Sequence, residues 1–350
     1  MLRSDDFTVL NSGDITQTVD AIARVQLPSG CIPWFAEGHA DPWDHVEAAM
    51  ALTVGGRHDR ARAAYRWSAS VQSKDGSWPA KFLGDLVIDH TLDANFTAYI
   101  AVGLWHYWLA TGDAEFLHEM WPVIDRAIDF VLELQDDTGA IRWARDVDYR
   151  AWPEALVTSS SCIHLSLRCA VGLATAVGLQ RPDWELAIPL LANAIAGEHR
   201  NFANKDRYSM DWYYPILGGV LDGTRASDRI ADHWELFVVE GLGAKCVVDR
   251  PWITAAETCE LVMALDRIGM TDEAHRLFGW IQQLRDTDGA YWTGATYPEG
   301  TVWPVEKPTW NSAAVVLAAD VLARTGPTYE VFTDRDFEPA PLSRSLGDSL

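Results

Sequence analysis

Hydrophobic and polar positions along the chain alternate between two kinds of helical segment. In the first kind, apolar residues recur every three to four positions with charged residues between them, as in Ala61, Ala64, Tyr65, Ser68 and Val71. Residues 14–26, 58–72, 113–135, 182–202, 225–239 and 272–285 have this amphipathic pattern, which predicts helices with one face in water. The second kind is apolar nearly all round and rich in Ala and Gly: residues 45–54, 94–110, 160–177, 212–221, 253–268 and 311–324. Such helices must be covered on most sides. Five of them run into glycine (Gly55 and Gly56, Gly112, Gly178, Gly269, Gly326), the usual stop signal. The fourth carries Gly218 and Gly219 inside and Gly223 just after. Buried and exposed helices in strict alternation predict an all-α (α/α)₆ barrel, an inner ring of helices within an outer ring. No segment reads convincingly as a strand, and no Pro-, Ser- or Gly-rich linker divides the chain. The expectation is one barrel domain over residues 1–328, with a C-terminal tail at 329–350.

The connections are asymmetric. Passages from a buried helix to the next exposed one are a few residues long, whereas 27–44, 73–93, 136–159, 203–211, 240–252 and 286–310 are long. All six long loops therefore belong at one rim, over the N-terminal ends of the inner helices, and long loops on a rigid scaffold are where function collects. Four of them open alike, from Gln26 to Trp34, Gln72 to Trp78, Gln135 to Trp143 and Arg285 to Trp292, each with a glycine between. These turns read as mainly structural.

One stretch is echoed. Pro42-Trp-Asp-His-Val-Glu-Ala-Ala-Met-Ala-Leu52 resembles Pro251-Trp-Ile-Thr-Ala-Ala-Glu-Thr-Cys-Glu-Leu-Val-Met-Ala-Leu265. Each has a Trp before a helix, an acid in the first turn and a second acid three positions on: Asp44 and Glu47, Glu257 and Glu260. Positions i and i+3 share a helix face, so each copy aims two carboxylates at one place. Helix-dipole complementarity accounts equally well for an acid in a first turn. It accounts poorly for Glu47 and Glu260, one turn deeper in apolar stripes where an unpaired charge is expensive.

Composition narrows the function. The chain has 50 acidic against 28 basic residues, a formal net charge of −22. Nucleic acid is thereby an improbable partner, since phosphate binding needs a basic surface. The first ten residues lack the apolar core of a signal peptide, and no stretch approaches the roughly 20 apolar residues that span a bilayer. Five cysteines without a C-x-x-C pair point to a reduced, cytoplasmic protein.

The rim offers Asp44, Asp93, Glu154, Asp211, Glu257 and Glu306, with Trp43, Trp78, Trp152, Trp212, Tyr213, Trp252, Trp292 and Trp310 as aromatic neighbours. Carboxylates accept hydrogen bonds from hydroxyls and rings cover apolar sugar faces, so this set suits a neutral oligo- or polysaccharide. Two carboxylates whose environments differ can act as acid and base on a glycosidic bond. Other chemistries are poorly provided for. Ser159-Ser-Ser161 lies in no G-x-S-x-G, there is no H-E-x-x-H, and neither a dinucleotide nor a Walker loop occurs. Neither a metal site nor a cofactor is expected, and His164 reads as a core histidine. Cys259 between Glu257 and Glu260 is too acidic a setting for a nucleophile.

These residues carry resemblances. The whole chain resembles the (α/α)₆-barrel glycoside hydrolases. Tyr149-Arg-Ala-Trp-Pro-Glu154 with Thr158-Ser-Ser-Ser161 is similar to the glucoamylase stretch before the third inner helix. Pro153 stands where that family has the first of two glutamates, usually its general acid, which leaves that role open for Glu154. Glu306, ahead of Pro308-Thr-Trp-Asn-Ser-Ala-Ala314, resembles the approach to that family's base, with Lys307 in place of the usual Gln. A second resemblance, to actinobacterial proteins known as prenyltransferase-like, runs through Ala94-Asn-Phe-Thr-Ala-Tyr-Ile-Ala101, Trp105-His-Tyr-Trp-Leu-Ala-Thr-Gly-Asp113, Met210-Asp-Trp-Tyr-Tyr-Pro215 and Pro251-Trp-Ile-Thr-Ala-Ala-Glu257. One branch of that family consists of inverting endo-α-1,4-mannanases that cut methylmannose polysaccharides. That resemblance implies catalytic acids at the starts of the first and fifth inner helices, which here are Asp44 and Glu257.

The resulting expectation is an inverting glycoside hydrolase in which Glu257 protonates the leaving oxygen and Asp44 activates water. Glu154 and Asp211 stand in reserve, and Glu47 and Glu260 join the substrate-binding set. Two alternatives remain at this point. A prenyltransferase- or cyclase-like toroid lacks here the Asp-x-Asp-Asp acid and the zinc set that such proteins need. A non-catalytic sugar-binding barrel would bind without turnover. The oligomeric state stays open.

Overall fold

Each polar-to-apolar alternation in the sequence becomes a pair of antiparallel helices. The structure, a computed structural model, describes residues 10–197, 202–324 and 326–333. Its helices begin with α1 (Ser12–Val25), α2 (Pro42–Val54), α3 (His58–Val71), α4 (Ala94–Ala98), α5 (Ile100–Thr111), α6 (Ala114–Leu132) and α7 (Val157–Ala176). They continue with α8 (Pro182–Ala196), α9 (Ser209–Leu217), α10 (Gly223–Phe237), α11 (Ala255–Arg267), α12 (Thr271–Ile281), α13 (Thr309–Ala323) and α14 (Pro327–Thr333). Asn11, Asp41, Asp93, Asp113 and Asp222 cap α1, α2, α4, α6 and α10, accepting backbone N–H groups that the first turn leaves unpaired.

The apolar helices form the inner ring. α2 packs on α5, α5 on α7, α7 on α9, α9 on α11, α11 on α13, and α13 closes back on α2. The amphipathic helices α1, α3, α6, α8, α10 and α12 lie outside them. The (α/α)₆ architecture read from the pattern is the one observed. One apolar cluster runs through all of these elements, with nearly every residue of α2 and α11 buried.

Four details differ from the sequence reading. The second inner helix is interrupted at Tyr99 between α4 and α5. The fourth outer helix stops at Ala196, where Gly197 takes an extended conformation; residues 198–201 of the expected span lie outside the described residues. Short strands are present where none was expected. The largest piece is a hairpin of β1 (Pro79–Leu83) and β2 (Leu86–Asp93), turned at Gly84-Asp85 and extended by β3 (Ala144–Arg145). The others are β4 (Val238–Val239) with β5 (Gly243–Ala244), and β6 (Trp252–Thr254) with β7 (Gly294–Thr296). These segments are too short or too charged to alternate visibly. The two-residue Gly-Asp turn between apolar flanks was the available signal. At the C-terminus, the expected barrel–tail boundary falls within α14, whose Val331 and Phe332 are buried; residues 334–350 lie outside the described residues.

The strands join the six long loops into a closed collar. Ala40 bridges to Phe82, Leu92 pairs with Arg145, Ala155 bridges to Phe202 and Tyr208 to Val247. Ile253 pairs with Ala295, and the Thr309 N–H bonds the Trp34 carbonyl, returning to the first loop. Each loop is thus bonded to the next, so the starts of all six inner helices share one rim.

A second device ties the outer ring. The Gln26 amide donates to the Gly30 and Arg60 carbonyls at 3.0 and 2.9 Å. Gln72 does the same to Gly76 and Val123, both at 2.9 Å, and Gln135 to Gly139 and Ala187 at 3.0 and 3.3 Å. Every such Gln closes its own loop and holds the next outer helix. The glycine sits at positive φ and presses on that helix's backbone: an added Cβ would stand 2.1 Å from the Ala63 carbonyl oxygen at Gly30 and 2.1 Å from that of Arg126 at Gly76. Gly76→Ala is therefore expected to cost about 2–4 kcal/mol, read as a lowered urea midpoint with an unchanged slope. Gly56, which shares the positive φ but is exposed with open space around it, provides the control: its substitution should cost much less.

Candidate active site

The first carboxylate group is built at the start of α2. Pro42 supplies a helical φ at the first turn, and Asp41 caps it by accepting the Asp44 N–H at 2.8 Å. The other Asp41 oxygen accepts the Trp34 indole N–H at 2.7 Å. Asp44 and Asp41 thus face each other in a buried setting. Burial first, and then the charge and hydrogen bond of Asp41, hold the Asp44 carboxyl well above the usual carboxylate range. Glu47 and Glu260 push it the same way. Trp43 stacks on Tyr99 at 4.6 Å, meets Trp310 edge-on at 6.3 Å, and directs its indole N–H to the Cys162 sulfur at 3.4 Å.

The second group is built at the start of α11. Glu257 is buried in its first turn, beside the Cys246 thiol. One turn below, Glu260 accepts the hydroxyls of Tyr213 and Tyr214, the latter at 2.6 Å. Glu47 occupies the equivalent place on α2 and accepts the Tyr99 hydroxyl. Burial pushes Glu47 up to about 7 and Glu260 up to about 8, against the lowering effect of the tyrosines. Both line one axial cavity of about 10 Å³, together with Tyr99, Cys162 and Tyr214. The two deeper acids of the sequence echo therefore meet on the barrel axis, beneath Asp44 and Glu257.

The remaining expected site residues fall into distinct settings. Asp93 caps α4, accepting the Asn95 and Phe96 N–H groups at 2.8 and 3.0 Å, and burial raises it to about 7. Asp211 accepts the Thr158 hydroxyl and N–H across the starts of α7 and α9, and burial raises it too. Trp78 and Trp212 are plugs: Trp78 bonds the Ser68 carbonyl at 2.8 Å, and Trp212 bonds that of Arg229 at 2.7 Å while stacking on Phe237. Trp252 stands partly exposed beside Trp303, which is 54% exposed, with its indole N–H on the Trp303 carbonyl. Trp152 is 45% exposed against Trp143, and Glu154 is exposed next to it. Trp292 lies under the Lys307 ammonium, which bridges Asp286 and Asp288. The Glu306 charge reaches His39, as does that of Asp41, and the Trp310 indole N–H is buried without a partner among the described residues. His164 bonds the Gly218 carbonyl in the core as expected. No group of His, Cys, Asp and Glu fit to hold a metal ion occurs among the described residues.

Sequence reasoning missed Asp41, Tyr99, Tyr214 and His39. Asp41 was legible as Asp before Pro at a helix start, a capping signal. Tyr99 and Tyr214 are hydroxyls on buried helices, which must find acceptors.

Comparison with known proteins bears on this arrangement. No family model matches the chain. It is 51% identical over 328 residues to the MMP endo-(1,4)-3-O-methyl-alpha-D-mannosidase of Mycolicibacterium hassiacum, covering 94% of this chain and 91% of that one. It is 25% identical over 188 residues to the kojibiose hydrolase of Flavobacterium johnsoniae, covering 46% of this chain and 26% of that protein. Among solved structures, a wild-type glycosidase matches with a TM-score of 0.72 at 17% identity, over 92% of this chain and 99% of the other. A D-mannose isomerase matches with a TM-score of 0.66 at 13% identity, over 89% and 97%. At such identities these structures share the fold with this chain.

The buried acids fix the sign of the pH dependence of stability. Glu47 and Glu260 bind protons more tightly folded than unfolded, so between the ordinary value of 4.5 and their folded values of about 7 and 8 the native state holds more protons. Stability is thus fully present below about pH 4.5 as far as these two groups are concerned, and falls as pH rises through 7 and 8, by an amount on the order of a few kcal/mol. Chemical denaturation at pH 5 and 8 should show this loss, and Glu47→Gln should flatten it.

Proposed function

The chain belongs to the glycoside hydrolase family of the MMP endo-(1,4)-3-O-methyl-alpha-D-mannosidase, and from that premise we propose that it hydrolyses internal α-1,4 links of a 3-O-methylmannose polysaccharide by single displacement, with Asp44 and Glu257 as the catalytic pair. The observation that carries the reading is the buried Asp41–Asp44 couple. Two carboxyls in hydrogen-bond contact do not both ionise readily, and Asp41 is already committed as acceptor to Trp34 and the Asp44 N–H. The proton then resides on Asp44, which makes Asp44 the general acid. This exchanges the roles expected from sequence and leaves Glu257, on the fifth inner helix, as the base.

Asp44 gives its proton to the glycosidic oxygen as the bond from that oxygen to the anomeric carbon breaks. A water on the opposite sugar face attacks that carbon and loses a proton to Glu257. The product anomer is inverted, and exchange with solvent restores both carboxyls. α2 and α11 are not neighbours in the inner ring, so their acids approach from different walls. That arrangement favours the separation of roughly 6.5–9.5 Å that inversion needs over the shorter one of retention. Substrate stacking falls to the partly exposed Trp252 with Trp303 on the Glu257 side and to Trp152 on the opposite loops, with Glu154, Glu306 and Trp292 at the rim.

We place the enzyme in the cytoplasm on the support of five free cysteines, four of them buried. No described helix is long and apolar enough to cross a membrane.

Two tests address the reading. With 1,4-linked oligosaccharides of 3-O-methyl-α-mannose, Asp44→Asn and Glu257→Gln should each lower kcat by at least about 10²-fold with binding largely kept. NMR of the first product should show the inverted anomer; near-full turnover in both variants, or a retained anomer, refutes the assignment. Trp252→Ala should raise KM for long substrates with little change in melting. Trp43→Ala, which empties a packed stack, should instead cost about 3–5 kcal/mol of stability.

A further inference from the structure

Two buried carboxyls take no part in the mechanism above, yet both are built into it by geometry. Glu47 lies one turn below Asp44 on the same face of α2, and Glu260 one turn below Glu257 on the same face of α11. Both reach one axial cavity with room for about a single water molecule. Leu165, Leu217, Met263 and Phe332 of α14 close that cavity from below, so the pair forms the floor of the barrel mouth. Tyrosine hydroxyls from two other walls hold the carboxyls: Tyr99 on Glu47, Tyr213 and Tyr214 on Glu260.

We infer that Glu47 and Glu260 are positioning residues whose charge, held by the Tyr99, Tyr213 and Tyr214 hydroxyls, sets the upper limit of pH at which Asp44 keeps its proton. The inference rests on the reading of Asp44 as the acid. Both carboxyls lie one turn below Asp44 and Glu257, and tyrosine hydroxyls occupy both Glu260 oxygens and one of Glu47.

The groups facing each carboxyl come from several walls around it. Glu47 meets Tyr99, Tyr65 of α3, Glu260 of α11 and Cys162 of α7, with Asp44 above it. Glu260 meets Tyr213 and Tyr214 of α9, Glu257 and Cys259 on its own helix, Tyr99, Cys162, Cys246, and Glu47 and Asp44 of α2. An ionised carboxyl in this setting raises the pKa of the acid above it. As pH rises the floor acquires negative charge, which opposes release of the Asp44 proton. The acid is thereby kept competent to higher pH.

The test is the pH profile of kcat/KM with 1,4-linked 3-O-methyl-α-mannose oligosaccharides. Rate falls on the basic side as the acid loses its proton. Removing floor charge by Glu47→Gln or Glu260→Gln should move that basic limb to lower pH by roughly half a unit or more, with KM within about twofold of the native value. Tyr99→Phe removes the hydrogen bond that favours ionised Glu47 and should move the limb the same way by less. It carries the test, with Tyr214→Phe, if the glutamine variants fail to fold. Folded Glu47→Gln and Tyr99→Phe proteins with an unmoved basic limb overturn the inference, since a merely structural floor changes stability and leaves the limb in place. Asp44→Asn separates the two layers of argument. If it stays active, the acid assignment itself falls. If it is inactive while the limb is unmoved in the floor variants, the floor inference falls alone.

Discussion

Carboxyl groups on the axis of an all-helical barrel cannot be left without partners, and much of the molecule is arranged around that constraint. An unpaired buried charge is expensive enough to exhaust the stability of a domain. Here each axial acid has donors from a different wall of the ring: Glu47 from the Tyr99 break between α4 and α5, Glu260 from successive tyrosines of α9. The interruption at Tyr99 and the adjacent Tyr213-Tyr214 pair thus have a common physical reason. Asp44 is treated differently. Among the described residues it has no hydroxyl donor, and burial together with the neighbouring Asp41 favours its neutral form.

The ring decides where such a site can stand. Inner helices separated by antiparallel outer ones all start at the same end, so their positive dipole ends converge on one rim and favour acids there. The long loops above that rim would be a source of disorder if each were independent. Their backbones are instead paired in succession, from Ala40–Phe82 round to Thr309–Trp34, which gives the mouth a fixed outline. The repeated Gln–Gly clasps do the same for the outer ring. Rigid walls matter because a general acid and base must be held within tenths of an ångström of their working places.

Much of this was legible from the chain alone, for definable reasons. The two-kind alternation of helices exposes the ring, because burial on most sides and burial on one side leave different periodicities. The echoed acids at 44, 47, 257 and 260 exposed the axis, because i and i+3 spacing survives any choice of helix boundary. What stayed hidden depends on contacts across the ring. That Trp78 and Trp212 are plugs, while Trp152 and Trp252 are at least partly exposed, follows from which loop pairs with which, and Trp152, Trp212 and Trp252 share the same local context of a tryptophan near a helix start. The Asp41–Asp44 couple was missed because a cap and an active-site neighbour look identical in sequence.

The same barrel serves a glycosidase and a D-mannose isomerase at 17% and 13% identity to this chain, so the ring itself specifies no reaction. The chemistry must come from residues that can change without disturbing the ring. The first-turn acids meet that condition: Asp44 and Glu257 lie above the apolar seams through which the helices pack, and neither closes a clasp or a collar bond. Their roles are then set by neighbours within one turn. In the proposed mechanism a second carboxyl beside Asp44 favours its protonated form, and the floor below would tune the range of pH over which it donates. A cyclase-like toroid would need an acid strong enough to protonate a carbon centre, which calls for withdrawing negative charge from around the donor. The surroundings of Asp44 do the reverse: they are crowded with carboxyls, which suits a weak acid handing its proton to an oxygen that becomes basic only as its bond breaks.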